Sequence, residues 1–215
     1  MHILNKGLSD QDTYRTIEKT AEGVFRDRGS KFLAFAYPVH TLKQINSILA
    51  DLRKKYHDAS HHCYAYRLGA SKEEYRANDD GEPSNSAGKP ILGQIQSHDL
   101  SNILIVVVRY FGGTLLGVGG LINAYRTASS DAINNARIIT GMESDLIIIR
   151  FPYSLTNEIM RIIDEEKMKI RDQEFTDSCR LNALLRKSRT KKVMERINKI
   201  ENASADIKNN ITDPE

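Results

Sequence analysis

The stretch Ile103–Tyr125, ILIVVVRYFGGTLLGVGGLINAY, decides how the rest of the chain is read. Ile103 to Val108 form an unbroken apolar, mostly β-branched run, the pattern of a strand buried on both faces. Arg109 closes that run, and Gly112, Gly113, Gly117, Gly119 and Gly120 follow before a helical pattern sets in over Leu121–Ala136. Free amides at the start of such a helix can hold a phosphate or carboxylate, and Arg109 can add a bidentate cation. Glycines in this setting equally serve tight turns and close backbone packing. The spacing is not GxGxxG, and no acidic residue ends a second parallel strand about 20 positions on, so a dinucleotide fold is poorly supported.

On the N-terminal side, Tyr14–Lys19, Gly23–Arg28 and Lys31–Tyr37 have β composition, with a tight turn at Asp27–Ser30. Thr41 caps an amphipathic helix reaching about Tyr56, with Leu42, Ile45, Ile48, Leu49 and Leu52 on one face. Residues 62–68 alternate as a strand, and Glu74–Asn78 returns beside it as a hairpin. The polar segment DDGEPSNSAGKP, residues 79–90, is a loop, and Pro90 suits the first turn of a short helix through Gln96 started by Ser86 or nearby backbone.

After a passage at Arg137–Thr140 the rhythm changes. Strand Leu146–Tyr153, helix Thr156–Lys167, strands Lys169–Phe175 and Arg180–Arg186, helix Thr190–Ile200 and strand Ala205–Lys208 follow in the order βαββαβ, a ferredoxin-like signature. The expected class is α+β in two domains, 1–140 and 141–215.

Composition bounds the function. Of 215 residues 40% are hydrophobic and 27% charged, and 31 Lys+Arg against 28 Asp+Glu leave +3, which describes an ordinary globular protein and excludes disorder and coiled coil. No apolar run approaches the roughly 18 residues of a membrane span. The N-terminus lacks a signal-peptide pattern, and the widely separated Cys63 and Cys179 suit a reducing compartment, so a cytoplasmic location is expected.

Asp79, Asp80 and Glu82 with His61, His62 or Cys63 are a conceivable metal set, but no ligand spacing supports it; no metal and no cofactor are expected. Cys63 faces away from His61 and His62 on a strand and fills core, so no catalytic residue is assigned. Arg186, Lys187, Arg189, Lys191, Lys192, Arg196 and Lys199, against the single Glu195, form the one local charge excess. Such a stripe suits RNA phosphates or is a solvated helix face, and residues 176–215 hold no aromatic side chain for base stacking.

Together HHCYAYR (61–67), DDGEPSNSAGKPIL (79–92) and VVVRYFGGTLLGVGGLINAY (106–125) closely resemble the signature blocks of the YigZ/IMPACT family. The resemblance implies an N-terminal domain similar to domain 2 of ribosomal protein S5, and the tail looks like the small C-terminal domain of bacterial members. Carried over position by position, the family surface comprises His61, Asp79, Asp80, Gly81, Glu82, Arg109, Gly112, Gly113, Leu116 and Gly117. Two departures stand out. Asn85-Ser86 replaces the usual bacterial Gly-Thr, and Asn123 replaces a common Lys or Arg, which removes a cation beside the glycine turn. Eukaryotic members regulate the amino-acid-starvation response through protein contacts. The resemblance thus implies a non-catalytic, translation-associated regulator whose partner is RNA, the ribosome or a translation factor. The competing expectation is an enzyme acting on a small anionic or peptide-like substrate, with His61 as general base and Arg109 holding the anion. Neither the oligomeric state nor the partner's identity is legible.

Overall fold

The computed structural model describes residues 12–208, so the expectations for 1–11 and 209–215 lie outside the described residues. Two compact units divide the chain, Tyr14–Gly141 and a second built from residues 142–208 with Asp12 and Thr13. Asp12 was expected with the first unit but packs with the second. Its carboxylate accepts the Ser188 amide at 3.0 Å and the Ser188 hydroxyl, while its carbonyl accepts the Glu143 amide at 2.7 Å.

In the first unit, β2 (Ala21–Asp27), β3 (Ser30–Pro38), β4 (His61–Leu68), β5 (Glu74–Asn78) and β6 (Ile103–Tyr110) form one antiparallel sheet in the order β2-β3-β6-β4-β5. Side-chain alternation sends successive residues to opposite faces. Phe32, Cys63, Ala65, Ile105 and Val107 face α2 (Gly88–Ser97) and α3 (Gly117–Asn134), whereas Phe35, Tyr64, Leu104, Val106 and Val108 face α1 (Leu42–Lys55). This double covering is why β6 reads as a continuous apolar run rather than an alternating one. The expected Thr41 cap is a full capping box, with the Gln44 amide donating to Thr41 Oγ1 and the Thr41 amide to Gln44 Oε1, both at 3.2 Å.

Three expectations change. β1 (Thr13–Ile17) pairs outside the main sheet with β7 (Ile138–Met142), a strand where only a connecting passage was expected. α3 starts at Gly117 rather than Leu121, so Gly119 and Gly120 are helical, while Gly117 as its first residue keeps a left-handed φ of +70°. In the second unit α5 (Lys187–Ile197) begins ahead of the expected Thr190, because Asp12 meets the Ser188 amide of its first turn from outside the local sequence.

β8 (Ser144–Pro152), α4 (Thr156–Glu165), β9 (Lys169–Glu174), β10 (Ser178–Arg186), α5 and β11 (Ser204–Ile207) realise the expected element order, with sheet order β11-β8-β10-β9 and every neighbour antiparallel. Ile147, Ile149, Phe151, Ile159, Ile162 and Leu181 build its separate core. At the sheet edge, the Asn198 side-chain amide pairs with the Ala205 backbone, accepting its N–H at 2.7 Å and donating to its carbonyl at 3.4 Å. That contact occupies the outer edge of β11 at Ala205.

Candidate functional site

Register sets the site. Phe32 on β3, Arg109 on β6 and His61 on β4 stand directly opposite one another, in one row on the face covered by α2 and α3. The 79–87 loop folds down over this row, and each of its three acids has a different task.

Asp79 caps α2. Its carboxylate accepts the Ala87 and Gly88 amides at 3.0 and 2.8 Å and the Asn85 amide at 2.8 Å, since α2 has no capping side chain adjacent in sequence. Ser86, the expected start, instead donates its hydroxyl to the Pro83 carbonyl at 2.6 Å. Asp80 ties the loop to α1 and β4. It accepts from Arg53 Nη2 and from the His62 amide, both at 2.6 Å, and its carbonyl meets His61 Nδ1 at 2.8 Å. Burial alone raises the Asp80 carboxyl, but Arg53 and the His62 amide outweigh it and hold the group below its ordinary value. His62 points to the opposite face, where burial lowers its imidazole pKa.

Glu82 turns inward, with a side chain only 3% exposed. It accepts from Arg109 Nη1 at 2.6 Å and from the Tyr125 hydroxyl at 2.7 Å, while His61 Nε2 lies 3.9 Å away. The Cys63 thiol extends the chain of contacts, 3.3 Å from the Tyr125 hydroxyl and 3.0 Å from the Asp79 carbonyl. Burial pushes both the Cys63 thiol and the Tyr125 phenol far up, so neither is an anion at neutral pH. The Arg109 guanidinium lies between the Phe32 and Phe111 rings, 5.4 and 5.6 Å from their centroids, and its Nε is buried without a partner.

Beyond Arg109 the glycines divide into two kinds. A Cβ on Gly112 would sit 1.9 Å from the Gly29 carbonyl carbon, so that glycine permits a close approach of two backbones. Gly113 and Gly117, at φ +83° and +70°, occupy the left-handed region. Around them Phe111, Leu115 and Val118 are exposed, Leu115 by 81%.

The Impact N-terminal domain model matches residues 28–133. An IMPACT family member of Haemophilus influenzae is 30% identical over 154 residues, covering 71% of this chain and 75% of the relative. The chain belongs to the IMPACT family. The IMPACT family member YvyE of Bacillus subtilis is 27% identical over 196 residues, 91% of this chain and 90% of its own length. Protein IMPACT of Rattus norvegicus is 36% identical over 96 residues, 42% of this chain and 30% of the relative. A crystal structure described as that of a hypothetical protein shares the fold, with a TM-score of 0.66 at 23% identity, covering 94% of this chain and 99% of its own.

Among the positions carried over from the resemblance, His61, Glu82 and Arg109 converge, Asp79, Asp80 and Gly81 hold the loop, and Gly112, Gly113 and Leu116 form the outer turn that leads into Gly117 of α3. Asn85 has φ +63°, and Asn is among the few residues besides glycine that adopt this conformation readily. Asn123 is exposed on α3. Tyr125 and Arg53 went unrecognised in the sequence. Tyr125 reads as one more core position of the α3 stripe, and its signal is that a buried tyrosine hydroxyl requires a partner.

The basic stripe is less positive than its sequence. Lys187 pairs with Glu143 at 3.1 Å, Arg189 with Glu166 at 2.8 Å and Arg196 with Glu165 at 2.7 Å; Arg186 is also engaged. Lys191, Lys192 and Lys199 are exposed and have no carboxylate partner among the described residues. No described helix is long and apolar enough to cross a membrane.

Proposed function

We propose that this chain is a non-catalytic, cytoplasmic regulator that binds the translation machinery through RNA, a ribosomal surface or a translation factor. The supporting observation is the consumption of all three loop acids inside the fold, which leaves backbone and apolar side chains, not reactive groups, on the outer turn. Its surface at Gly113, Leu116 and Gly117 is suited to close contact by a partner, and Lys191, Lys192 and Lys199 add salt-sensitive affinity. In this reading the first unit is a ribosomal protein S5 domain 2-like module and the second, with its β11-β8-β10-β9 order, a ferredoxin-like one.

Tagged full-length protein run through a ribosome-pelleting gradient tests this. It is expected to co-sediment, less so as salt rises, and reversing the charges of Lys191 and Lys192 is expected to flatten the salt dependence. RNase treatment separates an RNA partner from a protein one. A chain that stays at the top under every condition overturns the reading.

One observation favours the enzyme alternative: the partly exposed His61 Nε2 lies beside the Glu82–Arg109 pair. In that case inorganic phosphate or a dipeptide raises the melting temperature of the wild type but not of Arg109→Ala. The absence of any shift removes it.

A further inference from the structure

We propose that the groove between α5 and β11 docks an acidic amphipathic helix of a partner protein. This rests on the binding-protein reading above and assigns the partner a chemistry. The groove is an open depression of about 620 Å³ on the surface. Met194 and the exposed Ile207 give it an apolar floor, and Lys187, Lys191 and Glu195 of α5 line it together with Lys199 just past the end of that helix.

The charge indicates the partner's sign. Glu143 neutralises Lys187, so Lys191 and Lys199 are the cations left to a ligand. Lys191 stands on α5 and Lys199 two residues beyond its end at Ile197, with Met194 between them along the chain. A helix bearing carboxylates beside an apolar stripe complements two free lysines next to an apolar floor. Methionine is a compliant surface for such a stripe.

Two observations favour a helical partner over other modes. A partner strand would pair with the outer edge of β11, yet Asn198 already occupies that edge at Ala205. Single-stranded nucleic acid binds by stacking on aromatic rings, and residues 176–215 contain none, while Glu195 repels phosphates within the lysine row.

The test is fluorescence anisotropy with the full-length protein and a labelled synthetic helical peptide bearing two glutamates a heptad apart beside a leucine stripe. A scrambled peptide of the same composition and an RNA oligonucleotide of equal length serve as competitors. The patterned peptide is expected to bind at least tenfold more tightly than the scrambled one. Lys191→Glu with Lys199→Glu is expected to weaken it tenfold or more, and Ile207→Ser several-fold, with circular dichroism unchanged. Lys167→Glu, away from the groove, is expected to leave affinity within twofold. Equal binding of both peptides, an equal loss from Lys167→Glu, or RNA displacing the peptide at lower concentration overturns the proposal. So does binding that emerges only when residues 209–215 are deleted, which makes the chain's own tail the occupant. Ribosome co-sedimentation without peptide binding refutes the helix partner alone; peptide binding without co-sedimentation refutes the translation reading alone.

Discussion

Glu82 gathers a guanidinium from β6 and a phenol from α3 into one buried contact, with an imidazole of β4 just beyond hydrogen-bonding distance. Removing one member of a buried ion pair strands the other charge, so Glu82→Gln is expected to cost about 3 kcal/mol in urea unfolding. The double variant Glu82→Leu/Arg109→Met should recover part of that loss; a double variant as unstable as the sum of the singles contradicts coupling. Asp80 is more exposed and worth less. Its folded pKa is depressed, so its contribution is complete above the unfolded value near 3.8 and disappears as pH falls through the folded one. Arg53→Ala is therefore expected to lower stability at pH 7 by about 0.5–1 kcal/mol, with the difference closing below pH 4 in pH-resolved unfolding curves. The motif DDGE is plain in the sequence, but no periodicity says that its glutamate turns inward while the first aspartate caps a helix nine residues on.

Helix α3 begins inside the glycine segment at Gly117, whose left-handed φ of +70° a glycine adopts without a Cβ penalty. Its glycines are accordingly not equivalent. Gly112→Ala would drive a methyl group into the Gly29–Ser30 backbone and is expected to prevent stable folding. Gly119 has nothing within 4 Å of a would-be Cβ and lies in a helix, so Gly119→Ala should raise stability by about 0.5 kcal/mol in thermal melts. If a partner lies close to these amides, the same substitution weakens ribosome co-sedimentation despite the more stable fold. Unchanged association places the contact elsewhere. Element existence was legible here because period and composition are local; the start of α3 was not, since glycine punctuates turns and helix beginnings alike.

Each unit of the whole molecule has its own core, two clusters flanking the sheet of the first and one in the second. We expect calorimetry to resolve two transitions. Ile149→Ala, fully buried in the second core, should cost that unit about 2–4 kcal/mol and leave hydrogen exchange in β6 unchanged. A single transition shifted as a whole refutes independent units.

The sequence by itself determined most of the element order, though not β7, together with the double burial of β6, the Thr41 cap of α1 and the family, because each is written in spacing or motif over a few residues. Tertiary structure alone decided the partnership of Glu82, Arg109 and Tyr125, the carboxylates that neutralise Lys187, Arg189 and Arg196, and the Asn198 contact on the edge of β11. These join residues distant along the chain, and which distant groups meet depends on strand register and helix placement, which leave no local periodicity to read.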